Sequence, residues 1–364
     1  MNYKIDISLP KSAYLQLYRA LADDIISGVY PYGTKLPSKR TMASETGVSV
    51  ITVQHALDLL SEEGYIEAKE RSGNFVIFKE ADFQSNPSHE RFVKRELPKV
   101  IHTFGEISYD ILSKTMRKVI LDCGDSILIK SPNHGSPELR EEICAYLARS
   151  RGIAVSPDRI VIGAGAEYLY GLVAQYFGAG SIMGIEDPSY DKIGKVYSSM
   201  GLTIRKLKLG NDGISKRALF STDAKVIHVT PFNSFPSGIT AGISKKLEYL
   251  KWAETKNGFI VEDNYDSELT VSAKPEDALF SLSNGEKVIY LNTFSKTVAP
   301  SLRMGYMVLP KDVIDGFDEK LGFYSCTVPI FEQLVVAELL KSGNYERHIN
   351  KIRREKRKMM QPVQ

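Results

Sequence analysis

Cysteine is scarce in this 364-residue chain. Cys123, Cys144 and Cys326 are odd in number and widely spaced. That pattern excludes a disulfide framework and a zinc ribbon, and predicts reduced thiols in a reducing compartment. Long apolar runs are missing too. No stretch approaches the roughly 20 apolar residues that a membrane-spanning helix needs, and "MNYKIDISLPKSAY" has no apolar core of the secretory kind. The expected location is therefore cytoplasmic. A broad basic field is also absent. The formal net charge is only +3, and residues 341 to 364 hold eight Lys/Arg against two Asp/Glu, so the rest of the chain is slightly acidic. The first 80 residues balance nine basic against ten acidic side chains. Nucleic-acid binding, if present, must rest on local placement of groups and not on overall charge.

What is present divides at a change of texture. In the first 80 residues Leu15, Leu17, Leu21, Ile25 and Ile26 recur at helical spacing, and Gly28 ends that helix. "PYGTKLP" is a turn. Ser38 is placed to cap a short second helix through Ala43, and "ETGVS" supplies a tight glycine turn. Ser49 caps a third helix that turns Val53, Ala56, Leu57 and Leu60 inward and leaves Val50, Thr52, Gln54 and His55 outside. "YIEAKERSGNFVIF" reads as two strands around a turn at Arg71-Ser72-Gly73-Asn74. A small helical domain with a hairpin is one reading. A winged helix is the other, with serine, threonine and arginine side chains and helix N-termini on phosphates and the third helix in the major groove. The order helix, helix, glycine turn, helix, glycine wing favours the second.

This stretch resembles the GntR-type winged-helix domain over residues 11 to 78. The resemblance places Ser38, Arg40, Ser49, Thr52 and Gly73 where that family touches DNA; Gln54, His55 and Arg71 complete the candidate DNA surface. Two positions depart from the pattern: Lys39 stands where an acid is usual, and Val50 where an arginine is usual. The operator sequence therefore does not transfer. Residues 79 to 100 carry mixed charges and two prolines without an apolar period, and read as a linker between domains 1–78 and 101–364.

Beyond the linker, β-branched strands alternate with helices, the pattern of an α/β domain with a mostly parallel sheet. "RIVIG", "SIMGIED", "TIRKLKL", "KVIHVTP", "GFIVEDN", "KVIYLNT" and "MGYMVLP" are the candidate strands, with polar or glycine-rich clusters at their C-terminal ends, where open α/β sheets bind ligands. "VIGAGAEYLYGLV" offers the backbone amides of Ala166 and Glu167 to an anion at a helix N-terminus. Tyr190 offers an aromatic face and Asn233 a polar contact. Asp263 brings to a strand end a carboxylate that needs a cation, with Tyr265 two residues on. Lys296, Thr293 and Arg303 surround the last turn, "LNTFSKTVAPSLRMGY". A phosphate cradle, a stacking face, an acid, an amine and an arginine on neighbouring strand ends suit pyridoxal 5′-phosphate. In that reading Lys296 forms the Schiff base, Asp263 keeps the pyridine nitrogen protonated, and Thr293, Arg303 and the two amides hold the phosphate.

From about residue 135 onward the chain resembles the fold-type I aminotransferase domain, through "GSPELREEICAYLARSRGI", "IEDPSYD", "VTPFNSFPSG", "VEDNYDSEL" and the lysine motif. A GntR-type head joined to such a body resembles the MocR subfamily of transcriptional regulators. The resemblance implies a winged helix-turn-helix (α+β) domain followed by an α/β transferase-like domain, a role for Tyr265 near the cofactor's phenolic oxygen, and a head-to-tail homodimer. It implies partners too: double-stranded operator DNA and an amine or amino-acid effector. Phe232-Asn233-Ser234 departs from the subfamily's usual Ser-His-Gln run, and the segment 101 to 134 lacks its Phe-Pro and Trp landmarks. The chain ends in "NYERHINKIRREKRKMMQPVQ", which resembles the helix leading into a small C-terminal domain. The expectation is that this domain, and the arginine that grips a substrate carboxylate, lie outside the sequence, and that the basic tail is the solvated face of that helix. Three functions compete: a regulator sensing cofactor or amine, a working aminotransferase with a DNA-binding head, and a DNA-binding protein whose pocket takes no cofactor. The intact recognition helix and the lack of an assignable carboxylate clamp favour the first.

Overall fold

A computed structural model describes residues 3, 5, 12–70, 72–79, 105–271 and 277–360. The chain divides into two compact units, Met1–Lys99 and Val100–Gln364. Arg71 and residues 80–104 lie outside the described residues.

The first unit is built from α1 (Ala13–Ile26), α2 (Lys39–Thr46), α3 (Val50–Glu62) and an antiparallel hairpin of β1 (Ile66–Lys69) and β2 (Gly73–Val76). Leu17, Leu21 and Ile25 from α1 meet Met42 from α2, Val53, Ala56, Leu57 and Leu60 from α3, and Ile66 and Val76 from the hairpin. Ile26, expected on the same face, is 46% exposed. Neighbours on a helix are about 100° apart, and Ile25 takes the inward position.

Ser38 and Ser49 cap their helices as expected, accepting from the backbone N–H of Thr41 at 3.2 Å and of Thr52 at 3.1 Å. α2 runs three residues past Ala43, because Thr46 turns its hydroxyl back onto the Met42 carbonyl at 2.7 Å and Gly47, at φ 71°, takes the left-handed cap. Replacing Ser49 with Ala removes the cap of α3 and is expected to cost the first unit about 1 kcal/mol; urea denaturation of the full chain followed by helical circular dichroism measures it.

The second unit orders α4 (Tyr109–Cys123), α5 (Pro137–Arg151), β3 (Ile160–Gly163), α6 (Ala166–Phe177), β4 (Ile182–Asp187), α7 (Asp191–Ser199), β5 (Thr203–Lys208), α8 (Lys216–Ser221), β6 (Val226–Val229), α9 (Ile243–Lys256), β7 (Phe259–Asp263), α10 (Leu279–Leu282), β8 (Val288–Thr293), β9 (Gly305–Val308), α11 (Lys311–Leu321), α12 (Ile330–Lys341) and α13 (Asn344–Met360). Seven strands form one sheet in the order β3-β9-β8-β7-β6-β4-β5. Only β9 runs against its neighbours. All seven strands fall within the segments expected to form them.

Helices cover both faces of this sheet, so its inner strands are apolar on both sides, while the edge strand β5 is polar and largely exposed. Along β8, Val288 and Tyr290 enter one core while Ile289 and Leu291 enter the other. The basic tail is not simply solvated. Tyr345, Ile349 and Ile352 on α13 are buried, and Arg353 and Lys356 donate to the Glu268 and Leu269 carbonyls at 2.7 and 3.0 Å. No helix among the described residues is long and apolar enough to cross a membrane.

The reversal at β9 positions the site. Thr293 at the end of β8 pairs with Gly305 at the start of β9, and Gly163 at the end of β3 pairs with the same Gly305. Asp263 at the end of β7 pairs with Leu291. The ends of three strands and the loop carrying Lys296 and Arg303 therefore share one edge.

Candidate functional site

At that edge lies a cavity of about 410 Å³. Asp263, Tyr265, Thr293, Lys296 and Arg303 line it from the strand ends, and Ala166, Glu167 and Tyr190 from two helix N-termini. Eight of the nine expected ligand-binding residues thus meet in one place. Asn233 does not line it. It sits at φ 50°, donates its side-chain amide to Asp266 at 2.7 Å, and accepts from the Tyr265 hydroxyl on its carbonyl at 2.9 Å. It is exposed and braces Asp266, the acid that holds the lysine.

Lys296 is more open than a semi-buried amine, with 46% of its side chain exposed. Its ammonium lies 3.1 Å from Asp266 and 4.1 Å above the ring of Tyr265. Burial, with Asp266 and Asp263 adding charge, pushes the Tyr265 phenol up to about 12. Asp263 is buried. It accepts from the Tyr265 backbone N–H at 3.1 Å and from the hydroxyl of Tyr170, and its other neighbour is His228 Nε2 at 3.6 Å. His228 Nδ1 in turn lies 2.9 Å from the Tyr197 hydroxyl. Burial raises both tyrosines well above the ordinary phenol range.

The N-terminus of α6 has no side-chain cap, and Gly165 before it sits at φ 88°. The first amides of that helix are left to another acceptor. Arg303 lies across this end, 57% exposed, with Nη2 at 3.5 Å from the Glu167 carboxylate. Tyr190 stands at the N-terminus of α7, 38% exposed, its ring 6.3 Å from that of Phe235.

Several residues of this site escaped the sequence reading. Tyr170 lies one helical turn after Ala166, so it shares that residue's face. His228 is the one imidazole in an apolar strand, a signal open to view. Asp266 follows Tyr265 directly. Glu186, one residue before the end of β4, accepts from the Thr230 N–H at 3.2 Å and from Ser234 Oγ at 2.5 Å. Its burial lifts its pKa to about 7, Asp263 adding to the effect and the two hydrogen bonds opposing it.

A folded-state pKa above the unfolded one means that the protonated acid favours the fold. This contribution is complete below about 4.5 and is lost as pH rises to about 7. Between pH 5.5 and 8 the Glu186→Gln variant is therefore expected to lose less stability than the parent, by on the order of 2 kcal/mol. Urea denaturation at the two pH values reads the difference.

In the first unit, Ser38, Arg40, Ser49, His55 and Gly73 are exposed, and Thr52 and Gln54 partly so. Gly73 at φ 112° makes the wing turn, with Lys35 beside it: a Cβ there would come within 3.0 Å of the lysine's Cε. Two of the outward residues on α3 are engaged locally. Gln54 bonds Asp58, and His55 packs its ring edge-on against Tyr14 at 5.9 Å. No cluster of three or more His, Cys, Asp and Glu among the described residues is placed to hold a metal ion.

Comparison with known proteins matches this two-part arrangement. Residues 13–76 match the family described as bacterial regulatory proteins, gntR family, and residues 103–362 match aminotransferase class I and II. The chain is thus a helix-turn-helix regulator with an aminotransferase-like domain. It is 33% identical to the uncharacterized HTH-type transcriptional regulator YdeL of Bacillus subtilis, over 98% of this chain and 79% of that protein. It is 28% identical to the probable rhizopine catabolism regulatory protein MocR of Rhizobium meliloti, over 93% of this chain and 74% of that protein. The HTH-type pyridoxine biosynthesis transcriptional regulator PdxR of Corynebacterium glutamicum is 26% identical, over 95% and 76%.

Among solved structures, the kynurenine aminotransferase of Pyrococcus horikoshii in complex with PMP superposes with a TM-score of 0.62 at 27% identity, covering 67% of this chain and 63% of that one. The α-aminoadipate aminotransferase LysN of Thermus thermophilus, complexed with N-(5′-phosphopyridoxyl)-L-leucine, gives 0.60 at 25%, covering 69% and 66%. The chain spans about two thirds of these aminotransferases. It belongs to the MocR-type regulators of the GntR family.

Proposed function

We propose that this regulator binds pyridoxal 5′-phosphate in the cavity of its second unit and uses it to sense the cofactor itself, or an amine or amino acid, in the cytoplasm. The observation that carries the reading is the convergence of Lys296, Asp263, Tyr190, Thr293, Arg303 and the uncapped start of α6 on one cavity. The two solved aminotransferases, one in complex with PMP and one with N-(5′-phosphopyridoxyl)-L-leucine, and the pyridoxine biosynthesis regulator PdxR point to the same chemistry.

The residues fit the group. Lys296, held by Asp266, presents the amine. Asp263, fixed by the Tyr265 N–H and Tyr170, would suit a cation, and a pyridinium nitrogen would supply one. Arg303, Thr293 and the Ala166 and Glu167 amides suit a phosphate, and Tyr190 offers a ring face. When bound, the cofactor supplies an aldehyde that condenses with amines and a ring that draws electrons from them.

The first unit would hold double-stranded operator DNA in a head-to-tail homodimer. Coupling follows if the ligand favours one arrangement of the DNA-binding units through differential contacts. The test adds the cofactor to the purified chain, reads the visible band, reduces with borohydride and maps the label. A label on Lys296, with a DNA mobility shift that changes on adding cofactor or amines, supports the proposal. A folded protein without label, or a shift indifferent to both, overturns it. Steady transfer of amino groups to a keto acid would show an enzyme instead.

A further inference from the structure

The phosphate end of the cavity contains an acid. Glu167 stands in the first turn of α6, where a carboxylate is favoured by the helix N-terminus, and a phosphate is favoured by the same amides. Its carboxylate lies 3.5 Å from Arg303 Nη2 on one side and 2.5 Å from Lys192 Nζ on the other. The guanidinium lies over the same helix end: a Cβ built on Gly165 would fall 3.6 Å from Nη2 and 3.7 Å from Cζ of Arg303. The arginine best placed for a phosphate is thus already engaged by a resident anion.

We infer that Glu167 is a built-in competitor for Arg303, which the cofactor's phosphate must displace, and that Lys192 takes over the displaced carboxylate. This inference rests on the cofactor reading above. Two cations and a helix N-terminus serve one carboxylate before binding, and the carboxylate plus a phosphate dianion afterwards. The added repulsion weakens binding, and Lys192 limits it by keeping Glu167 paired once Arg303 turns to the phosphate. Lys192 is suited to that task, since the hydrogen bonds it donates to Glu167 and then to Tyr190 raise its pKa. The pair therefore sets how much phosphorylated cofactor fills the site. A sensor needs such a setting, because a site saturated at every cofactor level reports nothing.

The ion pairs are exposed, 37 to 57% across the three side chains, and pairs of that kind contribute little to stability, so the variants are expected to fold. The experiment titrates the full-length parent, Glu167→Gln, Lys192→Met and the double variant with pyridoxal 5′-phosphate, and again with pyridoxal, which lacks the phosphate. The dissociation constant is read from the visible band. Glu167→Gln is expected to bind pyridoxal 5′-phosphate about tenfold more tightly, ~1.4 kcal/mol. Lys192→Met is expected to bind it about tenfold more weakly, and the double variant to track Glu167→Gln, because the lysine matters only while the acid is there. Pyridoxal binding should be the same in all four.

Equal constants for parent and Glu167→Gln would overturn the inference, as would pyridoxal shifting in parallel with pyridoxal 5′-phosphate. If the parent shows no band at any concentration of either compound, the cofactor reading itself fails and takes the inference with it.

Discussion

The Lys296→Ala protein will show no visible band with pyridoxal 5′-phosphate and no borohydride-trapped label, while its basal grip on DNA stays within about twofold of the parent. The first half follows from the cavity, where Lys296 is the lining amine nearest the buried acids Asp263 and Asp266. The second follows from the division of the chain, since Lys296 belongs to the second unit and the candidate DNA surface to the first. Folding is the risk to manage. Removing the ammonium leaves Asp266, 7% exposed, with the Asn233 amide as its remaining side-chain partner, and a buried acid deprived of its cation costs stability. Lys296→Arg controls for this by keeping a cation on Asp266 while removing the nucleophile. Both variants should lack the label, and thermal melting separates a lost amine from a lost fold. Label retained at another residue in either variant would remove Lys296 from its proposed role.

A larger loss of stability is expected from Glu268→Ala. Glu268 is buried and accepts from the Tyr146 hydroxyl at 2.5 Å. Arg151 Nη2 lies 3.3 Å from it, Arg353 Nη2 3.6 Å and Asn292 Nδ2 3.4 Å. Arg151, with a side chain only 4% exposed, has no other carboxylate within ion-pair distance among the described residues, and its guanidinium lies 5.6 Å from the face of Phe232. Removing the Glu268 side chain strands that charge and takes away its ion pair with Arg353 on α13, so the second unit should lose roughly 3–5 kcal/mol. Replacing Glu268 and Arg151 together by Met removes both charges and should cost clearly less than Glu268→Ala alone. Urea denaturation of the parent and the two variants measures this. A loss below about 1 kcal/mol in Glu268→Ala would show that solvent reaches Arg151 and that the network is not closed.

Much of this architecture could be read from residue order. Strands buried on both faces are written as unbroken apolar runs, such as Val288–Leu291, and the ends of β3, β7 and β8 meet the start of β9 at the edge that carries the cavity. The caps Ser38 and Ser49 could be read because a cap is a contact over three residues. Where the reading slipped, the deciding partner was elsewhere. The tail was expected to be solvated, yet Arg353 and Lys356 find carbonyls at Glu268 and Leu269 that no local pattern announces.

The site divides in the same way. Lys296, Thr293 and Arg303 stand together in one turn, and Asp263 closes an apolar run, so their chemistry was visible along the chain. Asn233 was expected against the ligand and instead braces Asp266. Tyr170, His228 and Glu186 went unread because each acts on Asp263 or its surroundings from another helix or strand. What the sequence alone determined was the set of groups and the elements that carry them, since periodicity, capping and strand-end chemistry are local. Which groups share a proton, a charge or a face was decided by the tertiary structure alone. The antiparallel turn of β9 brings three strand ends to one edge, and burial there makes a neighbour 3 Å away in space count for more than one adjacent in the chain.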